Sequence, residues 1–247
     1  MWDDAKQMNA LAATLATIAV LCLAWIALAW TVRQPWFAFR EVVVTTPLAR
    51  ASGAHLEAVI REELTGTFFT MSLDRARAAL RDVPWVRDVA LRRQWPDRLE
   101  VAIDEHEPLA RWNDDALVSA RGDVFVAQSA AELPLFEGPD GRAAEVAARW
   151  RAWSDALAPL ALAVTRVRVS QRGGWQLSAA GPAGPLTIEL GRDDPDARLA
   201  RFVAAHGRTL GALARAGTRV EAVDLRYRNG FAARIPAFRE KAAKPKA

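Results

Sequence analysis

The chain has 247 residues, of which 51% are hydrophobic and 25% charged, a composition typical of a folded globular protein rather than a disordered one. Its net charge is only +4 despite a pI of 9.8, and its arginines alternate with acidic residues instead of forming a basic stripe with interleaved aromatics. We therefore expect no nucleic acid partner. The single cysteine, Cys22, excludes an internal disulfide, which permits an oxidising compartment without requiring one.

An apolar segment without a charged residue extends over residues 10–32. As a helix it is about 34 Å long, enough to cross a bilayer core of about 30 Å. We predict a transmembrane helix at 10–32 after a short tail at 1–9, with Trp30 and Trp36 near the headgroups. The alternative is a cleaved signal peptide, because residues 27–29 read Ala-Leu-Ala, but the spanning length and the lack of a positive N-terminal region favour a retained anchor. Charge counting does not decide the orientation.

The segment after the anchor is predicted to form a strand, two helices and two strands. Dense β-branching indicates the first strand at 41–46, and the serines Ser52 and Ser72 are suited to cap the two helices that follow. Apolar residues at helical spacing support both helices. The last two strands are predicted at 85–94 and 99–105.

The turn between these two strands, Trp95-Pro96-Asp97-Arg98, suits a type I turn but not a plain two-residue hairpin. A two-residue turn would place apolar and charged side chains on the same face. One extra loop residue or a bulge instead puts Val89 and Leu91 on the face of Val101 and Ile103, so we predict an irregular hairpin. The order β-α-α-β-β is that of a POTRA domain, a small protein-binding module, which we place at 37–107.

The remaining residues indicate a β-rich domain with flanking helices at 108–236, which gives an α+β fold overall. Two helices are predicted, at 143–157 and from Pro195 onward. The predicted strands lie at 116–119, 167–170, 175–179, 186–190 and 220–228. The basic, weakly apolar tail at 237–247 is expected to be disordered.

The end of this domain carries the strongest local signal. Asn229-Gly230 separates the strand at 220–228 from a strand at 231–235, and this dipeptide is typical of a type I′ hairpin turn. Pro236 cannot donate a ladder hydrogen bond, so we predict that the final strand lies at a sheet edge. An open edge can accept a strand from a partner, which is β-augmentation.

No catalytic residue, metal ligand set or cofactor motif is predicted, and we do not expect an enzyme. Residues 104–107 read Asp-Glu-His-Glu, but no second histidine or cysteine lies nearby in the sequence, and a solvated strand end is the more economical interpretation. Patterns of the HExxH, GxSxG, Walker and Rossmann types do not occur.

Several long segments resemble, in the same order, the FtsQ/DivIB family of bacterial cell-division proteins. These segments are Pro-Trp-Val-Arg-Asp-Val at 84–89, Arg-Gln-Trp-Pro-Asp-Arg-Leu at 93–99, Glu-Pro-Leu-Ala-Arg-Trp-Asn-Asp at 107–114, Phe-Glu-Gly-Pro-Asp-Gly at 136–141, Trp-Gln-Leu at 175–177, Leu-Gly-Arg at 190–192, Arg-Leu-Ala-Arg-Phe-Val at 198–203 and Val-Asp-Leu-Arg-Tyr at 223–227. The resemblance extends from the anchor to about Pro236. It departs from the family at the N-terminus, where relatives often carry a longer cytoplasmic tail.

The resemblance implies a non-catalytic scaffold of the divisome that is anchored in the inner membrane, with its N-terminus in the cytoplasm and its bulk in the periplasm at the septum. It implies binding to FtsB and FtsL, control of septal peptidoglycan synthesis, and a role of the POTRA domain in recruitment. The partner-binding residues that it implies are Arg172, Arg226, Tyr227, Asn229, Gly230, Phe231 and Ile235.

Two other classes of protein are alternatives to this interpretation. A POTRA component of protein transport or envelope assembly would be expected to have repeated POTRA units or a following β-barrel. An anchored envelope enzyme would need converging acid, base or nucleophile residues. The sequence has neither feature at recognisable spacing, so a cell-division scaffold is the favoured hypothesis.

Overall fold

The computed structural model of the protein describes residues 5–63, 65–228 and 230–236. The chain divides into two compact units, Met1–Glu105 and His106–Ala247. The first element is the helix α1 (Ala5–Thr31), within which Met8–Thr31 is long and apolar enough to cross a membrane and has no buried residue. This helix fits a single-pass membrane protein. The tail predicted at 237–247 lies outside the described residues.

The rest of the first unit has the predicted order β-α-α-β-β. Its elements are a 3₁₀ turn (Pro35–Phe37), β1 (Glu41–Val44), α2 (Gly53–Glu63), α3 (Leu73–Arg81), β2 (Val86–Gln94) and β3 (Arg98–Glu105). The Ser52 hydroxyl accepts the His55 N–H at 3.3 Å, and the Ser72 hydroxyl accepts the Arg75 N–H at 3.3 Å. Both predicted capping serines therefore begin their helices, and the predicted POTRA architecture is confirmed.

The three strands of this unit form a sheet in the order β1-β3-β2, in which β1 runs parallel to β3. Gln94 pairs with Arg98, so the connecting loop contains residues 95–97, and its Trp95–Pro96 peptide bond is cis. This register places Leu91 opposite Val101, and a bulge interrupts the pairing near the start of β2. The predicted irregular hairpin is therefore confirmed.

One face of this small sheet is buried against α2 and α3. Leu56 of α2 and Leu80 of α3 are almost fully buried, and so are Val89, Leu99 and Val101 on the strands. The burial of alternate residues in β2 and β3 follows the period of two expected for a sheet with one solvated face. The hydrophobic pattern therefore sets the register.

The second unit is β-rich and contains the two predicted helices at their predicted positions. Its strands are β4 (Pro108–Trp112), β5 (Ala116–Ser119), β6 (Val124–Phe125), β7 (Leu135–Glu137), β8 (Ala163–Val169), β9 (Trp175–Gly181), β10 (Gly184–Gly191), β11 (Ala222–Asp224) and β12 (Ala232–Arg234). Its helices are α4 (Ala143–Leu157), α5 (Pro195–His206) and α6 (Leu210–Arg215), and a 3₁₀ turn (Ala158–Leu160) follows α4.

The nine strands within the described part of this unit join in one mixed sheet in the order β12-β11-β10-β9-β8-β7-β4-β5-β6. The pairs β10–β11, β7–β8 and β4–β7 are parallel, and the other neighbours are antiparallel. The helices α4 and α5 contribute Val146, Leu157, Leu199 and Phe202 to the same core as the buried strand residues. One face of the sheet is therefore packed against helices, as expected for an α+β domain.

The end of the second unit differs from the sequence prediction. The strand predicted at 220–228 is confined to β11, and the antiparallel register pairs Asp224 with Ala232. Residues 225–228 and 230–231 therefore lie in the connection, and this register does not fit the predicted two-residue turn at Asn229-Gly230, of which Asn229 lies outside the described residues. The antiparallel pairing and the edge position of the last strand are confirmed. The elements β4, β6, β7 and α6 were not predicted.

Candidate partner-binding site

The large sheet ends in a short, exposed strand. Among the described strands, β12 pairs only with β11, and its three residues are all exposed. Strand edges present backbone N–H and C=O groups that can pair with another chain. The edge predicted from the sequence therefore exists, although it is only three residues long.

The backbone of β12 points alternately towards β11 and towards the open edge. Leu225 donates its N–H to the carbonyl of Glu189 on β10 at 2.8 Å, so by alternation Asp224 faces β12, where it pairs with Ala232. The next residue of β12, Ala233, then presents its N–H and C=O to the open edge. Ala233 is the backbone position best placed to pair with an incoming strand.

The connection after β11 is fixed by a short-range ion pair. The carboxylate of Asp224 accepts the Arg226 backbone N–H at 3.0 Å, and its two oxygens contact the Arg226 guanidinium at 2.7 Å and 2.9 Å. Hydrogen bonding to this guanidinium holds the pKa of Asp224 below its ordinary value, and the carboxylate raises the pKa of Arg226. This hydrogen-bonded ring lies at the end of β11, where the chain enters the connection.

Two aromatic residues of the connection have different environments. Tyr227 is 58% exposed, whereas Phe231 is half-buried and packs edge-to-face on Phe202 of α5, with ring centroids 6.0 Å apart. Tyrosine contributes a large contact area at low rotamer cost, which suits an exposed anchor for a partner. Phe231 instead holds the connection against the core of the unit.

The other residues predicted near this hairpin lie around the edge strand. Gly230 is exposed and Ile235, just after β12, is half-buried. Asn229 lies outside the described residues.

Arg172 lies in a tight turn between β8 and β9. The turn is closed by hydrogen bonds from the Gly173 N–H to the Ser170 carbonyl at 2.9 Å and from the Ser170 N–H to the Gly174 carbonyl at 2.8 Å. Gly173 has a φ of 80°, a conformation that favours glycine. The turn fixes the backbone while the Arg172 side chain remains exposed.

The sheet brings Arg172 and the connection after β11 to the same end. β9 begins at Trp175, opposite Gly191 at the end of β10, and the parallel strand β11 ends beside Glu189. Because β10 alone separates β9 from β11, the two segments lie about 10 Å apart across the sheet. Arg172, Arg226 and Tyr227 therefore lie at the same end of the sheet.

The structure adds basic residues of α5 that the sequence interpretation missed. A cleft between α5 and the connection is lined by Arg198, Arg201, Phe202, Ala205, Leu225, Arg228, Gly230 and Phe231. Arg201 donates to the Arg228 carbonyl at 3.5 Å, and Arg198 donates to the Leu190 carbonyl at 2.6 Å. Arg198 and Arg201 are three residues apart, a spacing that places both on one face of a helix, and this was the sequence signal for a basic surface on α5. The cleft presents positive charge beside the edge strand.

The acidic segment at 104–107 has structural contacts. Asp104 forms an ion pair with Arg87, and the Glu105 carboxylate accepts the backbone N–H groups of residues 49–51, the shortest bond being 2.8 Å from Ala51. Burial alone would raise the pKa of Glu105, but these backbone hydrogen bonds outweigh it and lower the pKa. Within the described residues, no group of three His, Cys, Asp or Glu side chains could hold a metal ion.

Two family models match the chain, one for each unit. A model described as "POTRA domain, FtsQ-type" matches residues 37–106, and one described as "Cell division protein FtsQ/DivIB, C-terminal" matches residues 110–226. The second match directly follows the POTRA match in the chain. It ends at Arg226, before Tyr227 and β12.

Relatives named "Cell division protein FtsQ" match almost the whole chain. The protein of Burkholderia pseudomallei is 37% identical over 247 residues, covering 97% of this chain and 96% of that protein. The protein of Nitrosospira multiformis is 35% identical, covering 95% and 99%, and that of Bordetella pertussis is 33% identical, covering 94% and 92%. The chain therefore belongs to the FtsQ/DivIB family of cell division proteins.

Proposed function

We propose that this chain is an inner-membrane scaffold of the divisome, with a cytoplasmic N-terminus and both folded units in the periplasm at the division septum. The family consists of cell-division scaffolds and is not a known enzyme family. The apolar helix α1 supports attachment by a single membrane span. A tether of this kind keeps a binding surface close to the membrane.

The proposed partners are FtsB and FtsL, and the contact is β-augmentation at β12. The observation that carries this proposal is the open edge at Ala233, next to the exposed side chain of Tyr227. Backbone pairing at the edge supplies affinity, and side chains on either side supply specificity. In this arrangement a periplasmic segment of FtsB adds a strand beside β12.

The charges around the edge indicate the chemistry of the partner segment. Arg172, Arg201 and Arg228 are exposed and lie at or beside the same end of the sheet. Opposite charges across an interface favour encounter and fix the register of the bound segment. We therefore propose that the segment of FtsB carries acidic residues beside the part that pairs with β12.

The anchor and the edge can be tested together in cells depleted of this protein. The full chain should restore division and co-purify with FtsB and FtsL. An exported form lacking residues 1–33 should remain folded and yet fail to restore division, because it is not concentrated at the membrane. Full complementation by the untethered form would refute the role of the anchor, and intact division without recovery of either partner would refute the scaffold.

A further inference from the structure

The end of α1 is joined to a loop of the first unit by a direct hydrogen bond. The hydroxyl of Thr67 donates to the Val32 carbonyl at 2.7 Å, although 35 residues separate them in the chain. Thr67 is buried, and it also forms an isolated antiparallel bridge with Ala38. The loop that carries Thr67 is therefore attached to the residue at which the apolar segment ends.

Aromatic side chains gather around this attachment. Phe37 packs edge-to-face on Phe69 with ring centroids 5.2 Å apart, and Phe68 contacts Phe69 at 5.3 Å and Phe39 at 5.9 Å. The Phe68 N–H donates to the Phe37 carbonyl at 2.7 Å. The segment at 33–39 and the loop at 67–71 thus form one aromatic cluster, which we name the aromatic collar.

Part of the collar remains open to the surroundings. Phe69 is 53% exposed and Trp36 is 77% exposed, whereas Phe37, Phe39 and Phe68 are partly covered. Exposed aromatic residues that adjoin a membrane helix are typical of the interface between lipid headgroups and acyl chains. The exposed part of the collar is continuous with a helix that is apolar on all sides.

Simple dimensions set the depth of Phe69. Phe69 is two residues from Thr67, so their backbones are at most about 7 Å apart. The interfacial layer on each side of a bilayer core is about 5–8 Å thick. A side chain tied this closely to Val32, the last residue of the apolar segment, lies at the level of that layer when α1 spans the bilayer.

We propose that the aromatic collar is a second membrane contact, in which Phe69 and Trp36 enter the lipid interface and the bond from Thr67 to Val32 fixes the first unit against the bilayer. The proposal rests on the proposed membrane span of α1. It deepens the role of the anchor, because the POTRA unit then has a defined orientation on the membrane surface instead of moving freely on a flexible linker.

The test uses the full chain in nanodiscs of phosphatidylethanolamine and phosphatidylglycerol. Cys22 is the only cysteine and lies within α1, so a fluorophore attached to it reports insertion. In a Cys22→Ser background, Phe69→Cys carries the fluorophore on the collar. Ala49→Cys is the control and carries the fluorophore at an exposed site of the same unit. Ala49 lies beside Glu105, and Glu105 is at the opposite end of β3 from Arg98.

Lipids with a nitroxide at the headgroup or deep in the acyl chain then report depth. We expect the deep nitroxide to quench position 22 and the headgroup nitroxide to quench position 69 by at least about twofold, with no quenching at position 49. Quenching at 22 with none at 69 would overturn the collar and leave the anchor intact. Absence of quenching at 22 would overturn the membrane span itself.

A second pair of variants tests the hydrogen bond. Thr67→Val removes the hydroxyl at nearly constant volume, and Thr67→Ser keeps it. Thr67→Val should weaken quenching at position 69 without changing it at position 22, whereas Thr67→Ser should leave both unchanged. Equal quenching at position 69 in both variants would show that the bond does not fix the loop.

A measurement on the unmodified chain gives a result that does not depend on the fold of the variants. Photoactivated crosslinking from lipid headgroups, followed by trypsin digestion, should label the peptides at 34–40 and 62–75. The anchor peptide at 7–33 serves as the internal positive control. Labelling of 7–33 without 62–75 would contradict the placement of Phe69 in the interface.

Discussion

The guanidinium of Arg226 closes back on the carboxylate of Asp224, with Nη2 2.7 Å from Oδ2 and Nε 2.9 Å from Oδ1. The backbone N–H of Arg226 donates to the same Oδ1 at 3.0 Å. One carboxylate therefore joins the last residue of β11 to the residue that precedes Tyr227. The proposed binding surface depends on this local ring as well as on the edge strand.

Replacement of Asp224 by asparagine should weaken this ring. We expect Asp224→Asn to lower the free energy of unfolding by about 1 kcal/mol, because charge-assisted hydrogen bonds to Arg226 are lost. Binding of FtsB should weaken as well, because Tyr227 is less well positioned. Asp193→Asn, at an exposed residue near the same end of the sheet, is the matched control and should leave both unchanged.

The same pair should show a defined pH dependence. The pKa of Asp224 in the folded chain lies below its ordinary value of 3.8, so the folded state favours the charged form. Its stabilising contribution is present above about pH 4 and is lost as the pH falls through the lowered pKa. Urea unfolding should therefore show a difference between wild type and Asp224→Asn that shrinks on acidification. A difference that stays constant down to about pH 2 would contradict the assignment.

Tyr227 should act as a binding anchor with little effect on stability. Tyr227→Glu places a charge where an aromatic surface meets the partner, and we expect a loss of affinity for a periplasmic FtsB peptide of about 30-fold or more. The melting temperature should hardly change because the side chain is 58% exposed. Tyr227→Phe keeps the ring and should bind nearly as wild type. Wild-type affinity in Tyr227→Glu would reject the site.

Arg172 should contribute through charge. Arg172→Glu should slow association with FtsB by about tenfold at low ionic strength, with a smaller effect at high salt, because exposed charges are screened by ions. Arg172→Lys keeps the charge and the turn and should stay within about twofold of wild type. Association rates across a salt series measure this. An identical rate for Arg172→Glu at low salt would remove Arg172 from the interface.

Local pattern was sufficient where neighbouring residues decide the structure. The register of the β2–β3 hairpin followed from the need to place Val89, Leu91, Val101 and Ile103 on one face, and the loop of residues 95–97 meets that need. The helices α4 and α5 were predicted from apolar spacing because each buries one face against a sheet. These features are encoded within a short stretch of chain.

The sequence patterns did not predict strands that pair with neighbours distant in the chain. The strands β6 and β7 are only two and three residues long, and β7 is held between β4 and β8 by parallel neighbours distant in the chain. The Asn229-Gly230 signal overestimated the length of β11, which ends at Asp224, and the Asp224 carboxylate binds Arg226 two residues later. Tertiary contacts of this kind override local turn preference.

The candidate site was predicted in part. Exposure of Tyr227 and Arg172 and the edge position of β12 agree with the sequence interpretation, but their role as partner contacts stays a prediction. The contribution of α5 was missed because Arg201 reaches the connection, and Arg198 the end of β10, only after the chain folds. Sequence spacing indicates a basic helix face but not the segment that it meets.

The most direct test of the proposed β-augmentation is the affinity of the full chain in nanodiscs for the periplasmic segment of FtsB, compared among wild type, Ala233→Pro and Ala233→Ser. Proline removes the outward N–H of the edge strand, a change that edge strands tolerate, whereas serine keeps it. We predict a loss of at least about tenfold for Ala233→Pro with near-normal stability, and no loss for Ala233→Ser. Equal affinity in all three folded proteins would contradict strand pairing at β12.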